Sequence, residues 1–399
     1  MKESKVLTQE VTATYAGDYD IVVVGGGIAG CAAALACVRM GKKVLLLEKQ
    51  TMLGGLATSG HIVIYLPLDD GYGRQVMGGI AEELLKLSVK YSYGDDIVTW
   101  RENKRRMETR FNGPIYALAL EELLLNEGVE ILYDTLFTGC LMEDGWCRAV
   151  LTENKSGREY YGCGAVIDAS GDAEVLNRIG LATPAAENSL AIWCYCTRGG
   201  EGHILKRGGA AEHDLHLLTL GNIDKQAQKH LVVEPYYGDS GKNVNRFILD
   251  GHRRLLGAVK EDEKLVLASL PGMAQIRMAR RIEGAYLLGD KDSGKHFEDN
   301  IGATGDWRRP NPVYEIPYRS LYTREVKNVL AAGRCIAAEE EAWQVTRVIP
   351  PAAVTGEAAG VAAALCVEQK IPVQELSVET IRQTLASKGV MLDINKADA

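Results

Sequence analysis

No uninterrupted apolar run in this 399-residue chain approaches the roughly 18 residues that a membrane-crossing helix needs, so the sequence predicts no span. Its first 18 residues are polar and mixed in charge, without the apolar core of a secretory leader. The expectation is a soluble cytoplasmic protein. There is no excess of positive charge either. The formal net charge is −8, whereas a nucleic-acid binder needs a basic face to meet phosphates. Lys104, Arg105 and Arg106 make one local basic run, which reads more simply as a solvated face. No nucleic-acid partner is expected. The chain lacks C-x-x-C, which argues against a pyridine-nucleotide disulfide reductase, and it lacks iron–sulfur spacing. Its nine cysteines are odd in number, and Cys31, Cys37 and Cys366 sit inside apolar runs, as free thiols of a reducing compartment do. Cys194 and Cys196 have no companion cluster at metal spacing, so they read as strand residues and no metal is expected. Internal repeats and low-complexity tracts are also missing.

What is present is an ordinary globular composition, 46% hydrophobic and 25% charged, on a length that suggests two or three domains. Residues 20–24 read DIVVV, a short run apolar on both faces, as a central parallel strand requires. Glycines follow, then a helix over 29–40 and a second buried strand over 43–47, closed by Glu48. This is one βαβ unit. Helices are predicted over 80–90 and 114–126, a strand over 129–132, and a β-meander over 136–141, 146–152 and 159–161. Another buried strand follows over 165–169. From about residue 188 the pattern changes to an alternating strand (189–197), an irregular glycine-rich stretch (199–245) and a concentration of arginines (277–319). Buried patterns return with a strand over 328–332 and an Ala/Gly-rich helix over 350–367. The reading is an α/β fold: a Rossmann-like dinucleotide domain with a parallel central sheet and a β-meander, carrying an inserted α+β substrate domain. The boundaries are 1–187, 188–322 and 323–399.

The chemistry is concentrated in Gly25-Gly26-Gly27-Ile28-Ala29-Gly30, a G-x-G-x-x-G in the required strand–turn–helix context. Gly25 permits the tight turn, Gly27 lets backbone approach a pyrophosphate, and Gly30 lets helix pack on strand. The helix start offers free N–H groups and a positive dipole end to the phosphates. Glu48, 18 residues after Gly30, stands where a carboxylate accepts ribose hydroxyls. This motif serves NAD and FAD alike. Three features favour FAD: the glycine pair Gly54-Gly55 in residues 49–60, the strand-to-turn IDASGD (167–172), and VLAAGR (329–334). That last stretch precedes a small-residue helix whose N-terminus suits a flavin edge.

These motifs, in order, resemble the FAD-dependent oxidoreductases of the glutathione-reductase-type fold. The matching segments are GGGIAG (25–30), Glu48, LGGLATSG (53–60), VIDASGDAEV (166–175), RMARRIEGAY (277–286), HFEDNIG (296–302), YEIPYRSLY (314–322), NVLAAGRCIAA (328–338) and RVIPPAAVTGEAAG (347–360). The resemblance implies cofactor contacts from Gly25, Gly27, Ile28, Ala29, Gly30, Glu48, Lys49, Gly54, Gly55, Leu56, Leu136, Ala169, Gly171, Asp172, Gly333 and Arg334. It places Val354, Thr355 and Gly356 near the pyrimidine end of the flavin, and the backbone of Leu136 at the adenine. Where the wider fold carries Gly-Asp, this chain has Gly333-Arg334, which implies an arginine facing the pyrophosphate or the substrate.

A substrate must lie over the flavin, so its partners should come from the inserted segment. Arg277, Arg281, Arg308, Arg319 and Arg347 are candidates, because arginine grips a carboxylate or phosphate through two parallel hydrogen bonds. Salt bridges to Glu283, Asp299, Glu315 or Glu357 are the simpler role for each. His61 is a candidate base, with His296 and Tyr318 comparable, and Trp343 a candidate lid; packing roles compete for all four. The function expected is a flavoenzyme moving a hydride between FAD and a small polar substrate bearing a carboxylate or hydroxyl. Its electrons would pass to oxygen, a quinone or another protein. The alternatives are a non-redox flavin-dependent isomerase or hydratase, and a FAD-binding scaffold with little catalysis.

Overall fold

A computed structural model describes residues 10–91, 108–198, 215–221, 223–224, 229–230 and 234–393. The basic run at 104–106 lies outside the described residues, as does much of the stretch 199–245. The chain opens with β1 (Thr14–Val24), α1 (Ile28–Val38) and β2 (Val44–Leu47), followed by β3 (Ile64–Tyr65), α2 (Ile80–Lys90), β4 (Thr109–Arg110), α3 (Gly113–Asn126) and β5 (Glu130–Leu132). Asn112 starts α3, its side chain accepting from the Ile115 N–H at 3.1 Å, and Pro114 follows in the first turn, where no amide partner is lost. The meander is β6 (Leu136–Glu143), β7 (Trp146–Asn154) and β8 (Gly157–Asp168), with α4 (Glu174–Arg178) after it.

These strands form one seven-stranded sheet in the order β5-β2-β1-β8-β7-β6, with β16 (Val329–Ala331) also on β8. The register runs Val24↔Leu47 and Val24↔Asp168. The ends of β1, β2 and β8 are therefore level, and the crevice above the carboxyl ends of parallel strands is where α/β sheets take ligands. The sequence reads residues 159–161 and 165–169 as separate strands; they are one. Gly162, Cys163 and Gly164 interrupt the apolar pattern, yet β8 pairs with β1 along its whole length. Its other edge pairs with β7 at the start and with β16 at the end.

Further along come β9 (Ala191–Arg198), β10 (Leu215–Gly221), β11 (Ile223–Asp224), β12 (Lys229–His230), α5 (Gly241–Glu261) and β13 (Leu265–Leu267). A small sheet of order β10-β9-β13 packs with α5 around Ile192, Cys194 and Leu255. The hairpin of β14 (Asn300–Gly305) and β15 (Val313–Pro317) lies within the segment 188–322, but Ile301, Ala303, Val313 and Ile316 belong to the main core. The chain ends with α6 (Glu340–Thr346), α7 (Ile349–Gln369) and α8 (Val378–Ser387).

α7 is long and apolar enough to cross a membrane, but 94% of that window is buried inside the protein, so it is a core helix here. It packs along α1. A Cβ on Gly356 would stand 2.2 Å from the Ala29 carbonyl oxygen, and one on Gly360 2.5 Å from that of Ala33. Small residues let the two backbones approach, and each fully buried Val or Leu nearby adds about 1.5–3 kcal/mol. All nine cysteines are free, with Cys194 and Cys196 buried on β9.

Candidate functional site

The glycines of the first turn occupy the positions their roles require. Gly25 holds φ +104°, and a Cβ there would meet the Ala169 carbonyl oxygen at 2.6 Å. A Cβ on Gly30 would sit 1.8 Å from the Gly25 carbonyl oxygen. On Gly27 it would meet nothing within 4 Å, because this residue faces open space. No side chain caps α1, and its first turn carries no acidic residue. Its initial N–H groups are thus left for an anion from outside, and the space over Gly27 fits a pyrophosphate. Gly54 (φ +97°) and Gly55 (φ +56°) press on this loop: the Gly54 N–H donates to the Gly26 carbonyl at 2.8 Å.

Glu48 is buried and accepts from the Gly26 and Gln50 N–H groups, each at 2.7 Å. Burial raises its pKa, opposed by those backbone hydrogen bonds. Each carboxylate oxygen keeps a lone pair for a hydroxyl donor. Asp168, at the end of β8, is fully buried; it accepts from Ser170 Oγ at 2.6 Å and from the Val175 N–H at 2.9 Å. Burial pushes it up to about 6. It fixes the turn that forms the cleft's second wall.

A long cleft passes over these groups. Gly25, Gly27, Ile28, Ala29, Glu48, Lys49, Gly54, Gly55, Leu56, Leu136, Ala169, Gly171, Gly333 and Arg334 line it, as the sequence reading expects of cofactor contacts. Gly30 does not; it packs beneath the loop. Asp172 is turned to Arg334, which it binds at 2.5 Å. Val354, Thr355 and Gly356 are a correction. α7 begins at Ile349, so its open end presents Val348, Ile349 and Ala352 to the cleft. One turn further on, Thr355 takes the Gly333 N–H at 2.9 Å, Gly356 packs on Ala29, and Val354 faces Gly302. The sequence reading also missed Gln50, Thr135, Phe137, Ser170 and Met273, which line the cleft. Ser170 was readable as part of IDASGD; Met273 stands in no motif.

Arg334 differs from its expected role. Its guanidinium is spent inside the protein, donating to the Gly171 carbonyl at 2.5 Å, the Ile276 carbonyl at 2.7 Å and Asp172. It ties three segments together, and the cleft meets its flank. The remaining arginines divide. Arg319 is bidentate on Asp299 at 2.8 and 3.0 Å. Arg308 is held by Asp306 and Glu341. Arg281 donates to the Ile282 carbonyl and does not line the cleft. Arg347 lines it, its guanidinium hydrogen-bonded among the described residues to Gln344 Oε1 alone. Arg277 lies nearby over the Trp193 ring, 5.7 Å from its centroid. Burial and the charges of Arg347 and Arg334 push Arg277 down to about 9; burial and Arg334 push Arg347 down to about 10.

Tyr318 is a correction: fully buried, it donates to the Val373 carbonyl at 2.8 Å, away from the cleft. Trp343 is buried too, its Nε1 bonded to the Arg334 carbonyl at 2.6 Å, which makes it packing and not a lid. His296 is 3.1 Å from Glu315 and outside the cleft. His61 is buried behind the Gly55–Ala57 turn and holds φ 55°, a left-handed conformation that side chains seldom adopt. Its ring lies tilted against that of Tyr195, 4.8 Å between centroids, and its Nδ1 is buried with no partner among the described residues. Burial lowers its pKa below 6.5. Among the described residues no cluster of acidic, histidine or cysteine side chains suits a metal.

A family model described as FAD dependent oxidoreductase matches residues 20–191 and 222–385. A tRNA uridine 5-carboxymethylaminomethyl modification enzyme, MnmG, of Bacillus thuringiensis is 30% identical over 156 residues, 36% of this chain and 23% of the relative. Its counterpart from Geobacillus thermodenitrificans is 25% identical over 162 residues, 38% of this chain and 24% of the relative. The matched stretch is thus about a quarter of the length of these relatives. Among solved structures, a geranylgeranyl bacteriochlorophyll reductase-like protein from Thermoplasma acidophilum aligns over 96% of both chains at 12% identity, with a TM-score of 0.44. The OxyS anhydrotetracycline hydroxylase of Streptomyces rimosus aligns over 93% of this chain and 66% of its own, at 14% identity and a TM-score of 0.47.

Proposed function

Because the chain belongs to the family of FAD dependent oxidoreductases, we propose that it moves a hydride between FAD and a small polar substrate bearing a hydroxyl or carboxylate. One observation carries this reading: a single cleft joins Glu48 and the uncapped start of α1 to the uncapped start of α7, beside Met273 and Arg347. That is the layout a dinucleotide with a redox ring at one end requires. When bound, FAD supplies the ring that takes up or returns the electrons. The N–H groups at the start of α1 hold the pyrophosphate, and Glu48 accepts a ribose hydroxyl. The positive end of α7 favours negative charge at the far end of the cleft. His61 is the proton acceptor of this reading: burial keeps its imidazole neutral near pH 7, with Nδ1 free to accept. The electron acceptor is oxygen, a quinone or another protein. A cytoplasmic location and the lack of a nucleic-acid partner belong to the same reading, on the strength of charge and composition. The tRNA chemistry named for the MnmG relatives is not carried over from a match to a quarter of their length.

The test is the absorbance spectrum of purified protein, followed by anaerobic mixing with a panel of hydroxy acids, alcohols and polyols. Bands near ~370 and ~450 nm, bleached by one class of substrate, are expected. A colourless protein that takes up no added FAD overturns the reading. Turnover that never changes the flavin's oxidation state moves it to isomerase or hydratase chemistry.

A further inference from the structure

Resting on that reading of the cleft, we infer that Arg277 and Arg347 form an oxyanion subsite that takes a carboxylate group of the substrate at the α7 end. The arginines around the cleft fall into two sets. Arg280, Arg308, Arg319 and Arg334 each reach an aspartate or glutamate. Arg277, Arg281 and Arg347 form no ion pair among the described residues, but Glu339 and Glu283 act on Arg281, whereas only other arginines act on Arg277 and Arg347. Among the described residues the Arg347 guanidinium makes its hydrogen bonds to Gln344 Oε1 alone, at 3.0 and 2.6 Å. Arg277 donates to the Gln275 carbonyl in its own strand of chain and stacks on Trp193.

Two largely buried cations that repel each other and have no counter-charge among the described residues are costly to hold in a fold. Arg334, which lines the cleft, donates to the carbonyl of Ile276 beside Arg277 at 2.7 Å, so the cations are crowded; burial first, and then the charges of Arg347 and Arg334, lower the pKa of Arg277. A ligand that brings the missing negative charge removes that cost, and two guanidinium forks suit a carboxylate. The site is also built in advance. Gln275 Oε1 takes the Trp193 N–H at 2.7 Å, and its Nε2 donates to the Gly60 carbonyl at 2.6 Å. The Arg277 N–H itself is held by Asn188 Oδ1 at 3.2 Å. One amide side chain thus fixes Arg277 and the loop preceding His61 relative to each other.

The experiment uses FAD-loaded protein and sodium oxalate as probe, at fixed ionic strength, against inorganic phosphate. Flavin difference absorbance and the thermal midpoint are both read. Oxalate is expected to perturb the flavin saturably and raise the midpoint. Its affinity should fall at least tenfold in Arg277→Gln and in Arg347→Gln, and stay within twofold in Arg319→Gln. Both cleft variants should keep FAD and, without oxalate, melt no lower than the parent, since each removes an uncompensated charge; an arginine with a merely structural role would lower the midpoint. If Arg277→Gln does not fold, Arg277→Lys, which keeps the charge and loses the planar fork, is expected to weaken oxalate in the same direction. An FAD-loaded protein that ignores oxalate, or whose variants bind it equally, overturns the subsite and leaves the flavin reading standing. Tenfold preference for phosphate overturns the carboxylate assignment. Loss of FAD from Arg347→Gln returns that arginine to the pyrophosphate and overturns the pair. A parent protein that takes up no FAD sinks the functional reading and the subsite with it.

Discussion

The two ends of the cleft differ in how their polar groups are satisfied. At the Glu48 end the buried carboxylates are already answered from within: Glu48 by two N–H groups, and Asp168 by Ser170 and the start of α4. At the α7 end, Arg347 and the neighbouring Arg277 meet no carboxylate among the described residues; the Nδ1 of His61, which is buried and does not line the cleft, has no partner among them either. A dinucleotide cradle can be completed before its ligand arrives, because backbone N–H groups and glycine conformations do the recognising. A substrate site must keep groups unsatisfied until the ligand satisfies them.

The largest effect that can break this contrast comes from the cradle. In Gly30→Val the new Cβ would stand 1.8 Å from the Gly25 carbonyl oxygen, and that neighbour is backbone, which cannot swing away. The phosphate loop must open. No FAD should co-purify, while circular dichroism still reports a folded chain. Stoichiometric FAD in this variant would show that the loop does not need its packing.

His61→Asn tests the other end. FAD should be retained, and turnover of the substrate found by anaerobic bleaching should fall about 10²- to 10⁴-fold, the usual worth of a positioned base. In the parent, kcat/KM should lose activity as pH falls below the lowered pKa of His61, where the ring becomes protonated. That acid limb should vanish in the variant. Loss of FAD with turnover per flavin unchanged would place His61 in the cradle instead.

How far the sequence was legible follows the same division. Gly25, Gly30, Gly54 and Gly55 were readable because their conformations or clearances exclude other residues, a constraint written in residue type, and Gly27 because it leaves open the space a ligand needs. The buried strands were readable from apolar runs. The length of β8 was not, since pairing with β1 on both sides of Gly164 carries it past the point, at Gly162, where β7 leaves it. The start of α7 was readable to within a residue from Pro350 and Pro351, but the contact with the cleft was placed about one turn too far along, at Val354–Gly356 and not at Val348, Ile349 and Ala352. For the arginines, sequence states the charge and not the partner. Arg319 finds Asp299 20 residues away and Arg334 finds Asp172 162 residues away, so neither could be distinguished from Arg347 in advance.

Behind the cleft, Glu357 on α7 is a third kind of buried polar group, satisfied yet pH-sensitive. It accepts from the Ile80 N–H at 2.8 Å, capping α2, and burial pushes its pKa from 4.5 up to about 7. The folded protein thus holds a proton that the unfolded chain has released. Its contribution is full below pH 4.5 and is lost as pH rises through 7. Taken at face value the shift is worth up to about 3 kcal/mol. Glu357→Gln, neutral throughout and still able to accept from Ile80, should melt above the parent at pH 8.5, with that advantage shrinking or reversing at pH 4.5. Equal pH dependence in the two proteins would mean that Glu357 ionises freely in the fold.

The smallest effect sharpens the comparison by using a residue that sequence alone favoured as catalytic. Tyr318 is fully buried, and its hydroxyl donates to the Val373 carbonyl at 2.8 Å. Tyr318→Phe removes that donor and leaves a buried carbonyl short of one partner, a loss of about 1 kcal/mol seen as a lower thermal midpoint. FAD content and turnover should not move. The hydroxyl has a partner inside the protein and no path to the cleft, so it belongs with the answered groups, whose loss weakens the fold and spares the chemistry. A tenfold drop in turnover with FAD still bound would mean that Tyr318 reaches the substrate, and burial would then no longer separate the two ends of the cleft.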